Sequence, residues 1–398
     1  VATDTLGLSS TSSTATITVT AEPQRYPLQT GAWGRGRVER SPNLPDYDFG
    51  AQVSITALPD SLSQFSQWTD GDVSNPRSLI IGASNRYVAI FTNTMPVQTH
   101  LVQQWDAAFG SMRDDLLTAV APAHDGGWFI AGHSPFGNSG TKFLPGQGDQ
   151  DFWIVRMDPS RRKSWEAVFG GTGREALAAV VALPDGGCLL GGSSVSGDSG
   201  NKDAPGFGGS DYWIVRVDAD GRKLWDRAFG GSQDDVLTSM ALTFDGFCVA
   251  GGYSNSTAGG NKTASNLGGE DFWVAEFDLE GNLISDHTFG GVGDDRCRAL
   301  LALPGGDLLL GGSGSGSGPV IDYSNFRVFR LDHRFRTIWQ RSYGGSDEDG
   351  LWALGVTPDG GFLLAGDSTS GLSGDKTVEG YGFTDFWILK VDAAGAPQ

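Results

Sequence analysis

One acidic residue recurs at a nearly constant spacing through residues 101–398, and it is the best candidate for chemistry. Each copy precedes an apolar run that should be the innermost strand of its unit. If the side chains point into a central channel, they form a carboxylate ring that could bind calcium through oxygen ligands. Alternatively, each carboxylate caps a turn or pairs with a loop. We call these residues the acid column: Asp115, Glu175, Asp235, Asp295 and Asp349.

Two further repeated columns carry lysine and tryptophan. The lysines lie in glycine-rich loops, where we expect an ion pair with a carboxylate such as Asp151 or Asp211, contributing about 0–1 kcal/mol if exposed. The tryptophans could stack on sugars, but their regular placement within strands favours packing between units. The lysines are Lys142, Lys202, Lys262 and Lys376, and the tryptophans are Trp105, Trp165, Trp225, Trp339, Trp153, Trp213, Trp273 and Trp387.

The sequence contains no recognisable catalytic constellation. Its five histidines share no repeat column and form no HxH or HExxH motif, and there is no GxSxG or phosphate-binding loop. Cys188 and Cys248 lie in apolar runs, which is typical of buried, unpaired cysteines rather than of disulfides or zinc ligands. We therefore predict no enzymatic activity, and no cofactor other than the calcium that the acid column could bind.

The composition narrows the class of protein and the class of partner. With 28 Lys+Arg against 47 Asp+Glu, the formal net charge of −19 argues against nucleic acid or an anionic membrane as the partner. Sixty glycines and 19% charged residues suit a turn-rich all-β protein. No apolar run reaches the roughly 18 residues needed to span a bilayer, so no membrane span is predicted.

A repeat of about 60 residues organises residues 101–398. Phe109, Phe169, Phe229, Phe289 and Tyr343 mark five copies, and the third reads "KLWDRAFG", "VLTSMALTF", "FCVAGGYS" and "DFWVAEFD". These runs predict four antiparallel strands, with "DGG" or "DGF" hairpins between the second and third. Such units are typical of β-propeller blades, so we predict a five-bladed propeller. We further expect residues 101–110 to close the ring by completing the last blade.

The pattern "SG.K…GG.D[FY]W…W…FGG…DGG" resembles the long propeller repeats of secreted bacterial surface proteins, over Leu101 to Gln398. The resemblance implies an architecture but no common activity. The fourth unit departs most from it. Ser285 stands where the other units have one tryptophan, Arg327 replaces another, and the loop "GSGSGPVIDYS" lacks the lysine.

Three segments precede the repeats. Residues 37–95, with "FGAQVSITALP", "FSQWTDG" and "YVAIF", resemble the B-repeat domain of internalin-type surface proteins. There Val53, Ile55 and Ala57 should share a buried face, Trp68 should be the core aromatic, and "TDGD" should form a turn rather than a calcium loop. Residues 25–36 are expected to be a linker. Residues 1–24, in which Ala15, Ile17 and Val19 alternate with threonine, resemble the last strands of an Ig-like or PKD-type domain.

Together these features favour a non-enzymatic extracellular or cell-surface module for adhesion, ligand binding or scaffolding. Its partner would be a protein or a glycan. One alternative is a carbohydrate-binding or glycan-hydrolysing propeller, which for hydrolysis needs two facing carboxylates about 5–10 Å apart. Another is a filament subunit that self-assembles by donating its N-terminal strands to a neighbour.

Overall fold

The computed structural model describes residues 2–3, 9–10, 25–60, 63–82, 85–93, 105–135, 137–315 and 323–398. The chain divides into two compact units, residues 1–101 and residues 102–398. All the regular structure described is β, which agrees with the glycine-rich, weakly charged composition. Within the described ranges, no helix is long and apolar enough to cross a membrane.

The described part of the first unit contains nine short strands. The pair β1–β2 stands alone, and the others form sheets in the orders β5-β3-β9-β7 and β4-β6-β8. The strands are β1 (Ala2–Thr3), β2 (Ser9–Ser10), β3 (Arg25–Trp33), β4 (Gly36–Ser41), β5 (Asp46–Asp48), β6 (Gln52–Pro59), β7 (Ser63–Trp68), β8 (Arg77–Ile80) and β9 (Asn85–Asn93).

The core of this unit confirms the residues predicted from alternation. Val53, Ile55 and Ala57 are at most 1% exposed, because successive side chains of a strand point to opposite faces. Trp68 is fully buried, and its Nε1 donates to the Ser74 carbonyl at 2.8 Å. The "TDGD" segment is a turn, in which Gly71 has a φ of +85°.

Residues 25–36 do not form a linker. They contain β3, which pairs in parallel with β9 and antiparallel with β5, so this segment lies inside the first sheet. Its alternation is too weak for a sequence argument to detect. The predicted Ig-like remnant is described only where Ala2–Thr3 pairs with Ser9–Ser10. Ala15, Ile17 and Val19 lie outside the described residues.

The second unit is a series of antiparallel sheets, which we number as blades in chain order. Blades one to four have four strands each, and blade five has three. Blade one comprises β10 (Leu116–Pro122), β11 (Trp128–Pro135), β12 (Gln150–Met157) and β13 (Lys163–Phe169), and blade two comprises β14 (Glu175–Ala182), β15 (Cys188–Ser194), β16 (Asp211–Val217) and β17 (Lys223–Phe229). Blade three comprises β18 (Asp235–Leu242), β19 (Cys248–Ser254), β20 (Asp271–Phe277) and β21 (Leu283–Phe289), and blade four comprises β22 (Asp295–Ala302), β23 (Leu308–Gly314), β24 (Asn325–Leu331) and β25 (Thr337–Tyr343). Blade five comprises β26 (Asp349–Val356), β27 (Phe362–Ser368) and β28 (Asp385–Val391).

These sheets confirm the propeller-type repeat of four-stranded blades. Each sheet begins at the second run of a predicted unit and ends at the first run of the next, so the predicted glycine hairpins join the first and second strands of a blade. Gly186 in one of these turns has a φ of +87°, which a side chain would disfavour. Consecutive blades pack through aromatic side chains. Phe152 of blade one lies 4.7 Å from the Trp213 ring of blade two, and Tyr212 lies 4.4 Å from Trp273 of blade three. The tryptophans of the "DFW" column therefore pack between blades, as predicted.

Blade five differs from the other four. Among the described residues it lacks a fourth strand, and residues 105–110, which were expected to supply it, form no strand. Residues 105–110 therefore show no pairing with β28, and closure by residues 101–110 stays a prediction, because residues 101–104 lie outside the described residues.

Candidate functional site

The acid column does not line a channel, because its side chains are buried where consecutive blades meet. Glu175, Asp235, Asp295 and Asp349 are fully buried. Asp235 accepts the Gly231 N–H at 2.8 Å and the Ser256 hydroxyl at 2.9 Å. The other members, Asp115 included, likewise accept an N–H from the residue four positions earlier. Each carboxylate thus holds the loop that leads from one blade into the next.

This arrangement separates the five carboxylates. Within the part of the chain that the structure describes, no three acidic, histidine or cysteine side chains are grouped closely enough to hold a metal ion. A ring-shaped calcium site is therefore not assembled by Asp115, Glu175, Asp235, Asp295 and Asp349. Calcium binding by the chain stays a prediction.

A second column of aspartates, Asp151, Asp211 and Asp271, faces Glu175, Asp235 and Asp295 across the first three blade junctions. Gly230 lies between Asp211 and Asp235, and a Cβ at this glycine would come within 2.8 Å of Asp235 Oδ2. Both carboxylates have one buried oxygen without a hydrogen-bond partner. Burial, with the like charge of Asp235, raises the pKa of Asp211 to about 6. Burial raises the pKa of Asp151 to about 6 in the same way.

The repeated lysines supply positive charge near the two columns of carboxylates, but their ammonium groups do not hydrogen-bond to those carboxylates. Lys202 is 1% exposed, and its ammonium donates to the Ala204 carbonyl at 2.6 Å. The carboxylates of Glu175 and Asp211 act on it through space, while burial lowers its pKa. The predicted direct ion pairs with Asp151 or Asp211 are therefore replaced by lysine–carbonyl hydrogen bonds inside a buried charge network.

In blade four, different residues balance the charge of the buried carboxylates. It has no lysine in its loop, but Arg327 occupies the tryptophan position and donates to Asp295 Oδ1 at 2.6 Å. Asn325 stands where the other blades have an aspartate and faces Asp349 across Gly344, so one negative charge is also removed. The departures noted in the fourth unit thus compensate one another.

A groove of about 560 Å³ opens between blades four and five. Its walls combine two exposed aromatic rings, Trp352 at 56% and Tyr323 at 41%, with arginine and acidic side chains. Such a mixture of aromatic surface and a few convergent polar groups is typical of small-molecule and glycan sites. The polar lining includes Arg296, Arg298, Glu348 and Asp367.

The groove is positioned by irregular points in the first strands of blades four and five. Each first strand shifts register after its third residue, so Arg298 and Trp352 fall at bulges, where pairing is interrupted. The Arg298 guanidinium lies 4.8 Å from the Trp352 ring and 5.4 Å from the Tyr253 ring, so it contacts both aromatics.

The charged side chains of the groove differ in whether they already have a partner within the protein. Arg296 pairs with Glu270, and the Trp352 indole donates to Asp367. Arg298 makes no salt bridge within the described residues. Its guanidinium therefore keeps donors for an acidic group.

Sequence analysis missed this groove, although a signal was present. The bulge position reads Thr118, Ala178, Thr238, Arg298 and Trp352. Residues that only maintain the fold should be similar in every copy, whereas the last two are large and able to bind a ligand. Nothing in the linear pattern, however, shows that this position is a bulge facing open space.

The first unit matches a known family. The model of the divergent InlB B-repeat domain matches residues 26–104, a family typical of bacterial surface proteins. This confirms the predicted B-repeat and extends it through β3. The chain is also 24% identical over 212 residues to the regulatory protein FlaEY of Caulobacter vibrioides. That match covers 50% of this chain and 21% of the relative, so the chain spans about a fifth of that protein.

Two solved structures resemble the chain distantly. A protein of unknown function from Bacteroides caccae is 12% identical, with 74% of this chain and 83% of that one covered and a TM-score of 0.37. Puromycin hydrolase is 15% identical, with 72% and 39% covered and a TM-score of 0.41. Neither score is high enough to carry an argument about function.

Proposed function

We propose that the chain is a non-enzymatic extracellular module of a bacterial surface protein, and that its blades bind a glycan through a single carboxylate, which one arginine can hold although the chain as a whole is acidic. The B-repeat match supports a surface location. The observation that carries the ligand is the contact of Arg298 with the Trp352 ring in the groove between blades four and five.

The chemistry of the groove favours a sugar that carries a carboxylate. The exposed face of Trp352 offers a flat apolar surface for the C–H face of a pyranose ring. Arg298 offers planar donors for a carboxylate, which guanidinium binds in bidentate geometry. Glu348 and Asp367 can accept from sugar hydroxyls.

Glycan hydrolysis is less well supported by the same residues. A hydrolase needs two carboxyl groups on opposite sides of the glycosidic bond. The repeated carboxylates are buried and hold blade loops, so they do not present such a pair to a glycan.

A glycan array probed with the intact chain tests this proposal. We expect selective retention on glycans with uronic or sialic acid, lost in Trp352→Ala and in Arg298→Gln. Trp128→Ala is the matched control, since Trp128 is also exposed, at 40%, but lies in blade one. Uniform retention by all four proteins, or binding to no glycan, would contradict the proposal. Release of shortened glycans would instead support hydrolysis.

A further inference from the structure

The groove between blades four and five contains more negative charge than positive charge. Arg296 already pairs with Glu270, so Arg298 is the cation that the described part of the lining leaves for a ligand. A ligand with a carboxylate alone would therefore be attracted by one group and repelled by several. The charged residues of the lining are Arg296, Arg298, Asp294, Glu348, Asp349 and Asp367.

Glu348 is a carboxylate that the repeat would normally use to hold a loop. The equivalent carboxylate of Asp234 accepts the Ser210 N–H at 2.8 Å, and that of Asp294 accepts the Glu270 N–H at 3.1 Å. Glu348 is exposed, and among the described residues its carboxylate has no hydrogen-bond or ion-pair partner. Its backbone is fixed all the same, because its carbonyl accepts the Thr369 N–H at 2.8 Å. The groove thus presents a carboxylate that is held in place and unpaired.

Asp349 adds a second unsatisfied carboxylate to the same lining. The residue is fully buried, and one of its oxygens accepts the Gly345 N–H at 2.7 Å and the Ser370 hydroxyl at 3.0 Å. Its other oxygen has no hydrogen-bond partner within the described ranges. A buried carboxylate oxygen without a donor favours a nearby positive charge. Asp349 therefore reinforces the negative potential beside Glu348.

We infer that the glycan bound in this groove is zwitterionic, with a free amino group on the same sugar as its carboxylate. This inference rests on the proposed function, since it concerns the same site. The sugar carboxylate pairs with Arg298, and the ammonium donates to the Glu348 carboxylate. Such a sugar has no net charge, so a chain with a formal net charge of −19 does not repel it. Acetylation of the amine removes the positive charge, so the groove distinguishes a free amino sugar from its N-acetylated form.

Ligand-observed NMR titration of the intact chain with four related sugars tests the inference. The probes are the methyl glycosides of galacturonic acid, 2-amino-2-deoxygalacturonic acid, its N-acetylated form, and galactosamine. The free amino uronic acid should bind about tenfold more tightly than the two sugars that carry a carboxylate alone, because only its ammonium makes a charge-assisted hydrogen bond. Galactosamine, which lacks the carboxylate, should also bind more weakly, since it leaves Arg298 unpaired.

Two neighbouring acidic residues provide the variant and its control. Glu348→Gln removes the partner of the ammonium and should abolish the preference for the free amino sugar over the N-acetylated one. Asp347→Asn removes the same charge one position away, where the carboxylate accepts the Ser346 hydroxyl at 3.1 Å and does not line the groove. This control should keep the preference.

The titrations separate this inference from the proposed function. Equal affinity of the intact chain for galacturonic acid and for its 2-amino derivative overturns the zwitterionic ligand and leaves the proposed function standing. Binding of none of the four sugars overturns both. A preference for the free amine that survives Glu348→Gln, or that Asp347→Asn abolishes equally, overturns the pairing of the ammonium with Glu348.

Discussion

Blades three and four bury their acidic groups with different counter-ions. In blade three, Lys262 lies among Asp235, Asp271 and Asp286, and its ammonium donates to the Ala264 carbonyl and to Thr288. In blade four, Arg327 donates directly to Asp295, and Asn325 stands in place of the second aspartate.

The comparison teaches that the repeat preserves a charge balance rather than particular residues. A buried carboxylate without a counter-charge costs several kcal/mol. Blade four therefore tolerates the loss of the lysine only because Arg327 supplies a positive charge and Asn325 removes a negative one. Regular sequence columns therefore mark a network whose members must change together.

Removing the lysine from blade three should have the largest effect. Lys262→Met leaves the surrounding carboxylates uncompensated and should lower the free energy of unfolding by about 3–5 kcal/mol, measured by urea denaturation. Lys390→Met, at a half-exposed lysine that pairs with Asp359, should cost no more than about 1 kcal/mol.

A second substitution in blade three, which copies the asparagine of blade four, tests whether charge balance explains the loss of stability. Asp271→Asn in the Lys262→Met background should recover part of the lost stability, because it removes one of the uncompensated charges. An additive loss in the double variant would show that the two residues are not coupled.

Restoring the tryptophan of the repeat to blade four should be harmful. Arg327→Trp removes the counter-charge of the fully buried Asp295 and should cost about 2–4 kcal/mol. Arg327→Lys should recover part of this loss. Arg341→Trp, on the exposed side of β25, is the matched control and should change stability little. If Arg327→Trp is neutral, tryptophan packing outweighs charge balance.

The facing carboxylates of blades two and three predict a pH effect with an unusual sign. The pKa of Asp211 is raised to about 6, above the 3.8 of the unfolded chain. The folded state therefore binds more protons between these values, and this contribution to stability is lost as pH rises through about 6.

Chemical unfolding of the parent and of Asp211→Asn at pH 5 and pH 7 measures this contribution. Relative to the variant, the parent should gain on the order of 1 kcal/mol on acidification. His133 and His287, whose pKa values are lowered by burial, titrate in both proteins and so cancel. An equal response of the two proteins would show that Asp211 does not change its protonation state between pH 5 and pH 7.

The smallest expected effect separates two members of the acid column. Asp235 faces another carboxylate, whereas Asp349 faces Asn325 across Gly344. Asp235→Asn relieves a repulsion that Asp349→Asn does not, so the second substitution should be more costly, by about 1 kcal/mol. We expect the same difference with calcium and with a chelator. A calcium-dependent melting temperature that Asp235→Asn abolishes would instead support the calcium site.

Local patterns made much of the fold predictable. The runs in the third repeat match β17 to β20, and alternation identified Val53, Ile55 and Ala57, because strand burial follows a period of two. Strand β3 was missed because it is placed by a parallel partner distant in sequence, β9.

The candidate site was harder to predict for a physical reason. A repeated carboxylate looks the same in sequence whether it faces a channel or accepts the N–H groups of a loop, and only the backbone decides. The groove depends on Arg298 and Trp352, whose directions are set by bulges. Bulges interrupt the period-two rule on which sequence arguments depend.

The three cysteines give this chain a set of internal reporters. Cys188, Cys248 and Cys297 are unpaired and fully buried in blades two, three and four. Burial raises the pKa of Cys188 and of Cys297 to about 12, so their thiols are unreactive in the closed state. Each can be alkylated only when its own blade opens. The rate of labelling at each cysteine would thus read the opening free energy of three successive blades in the unmodified protein.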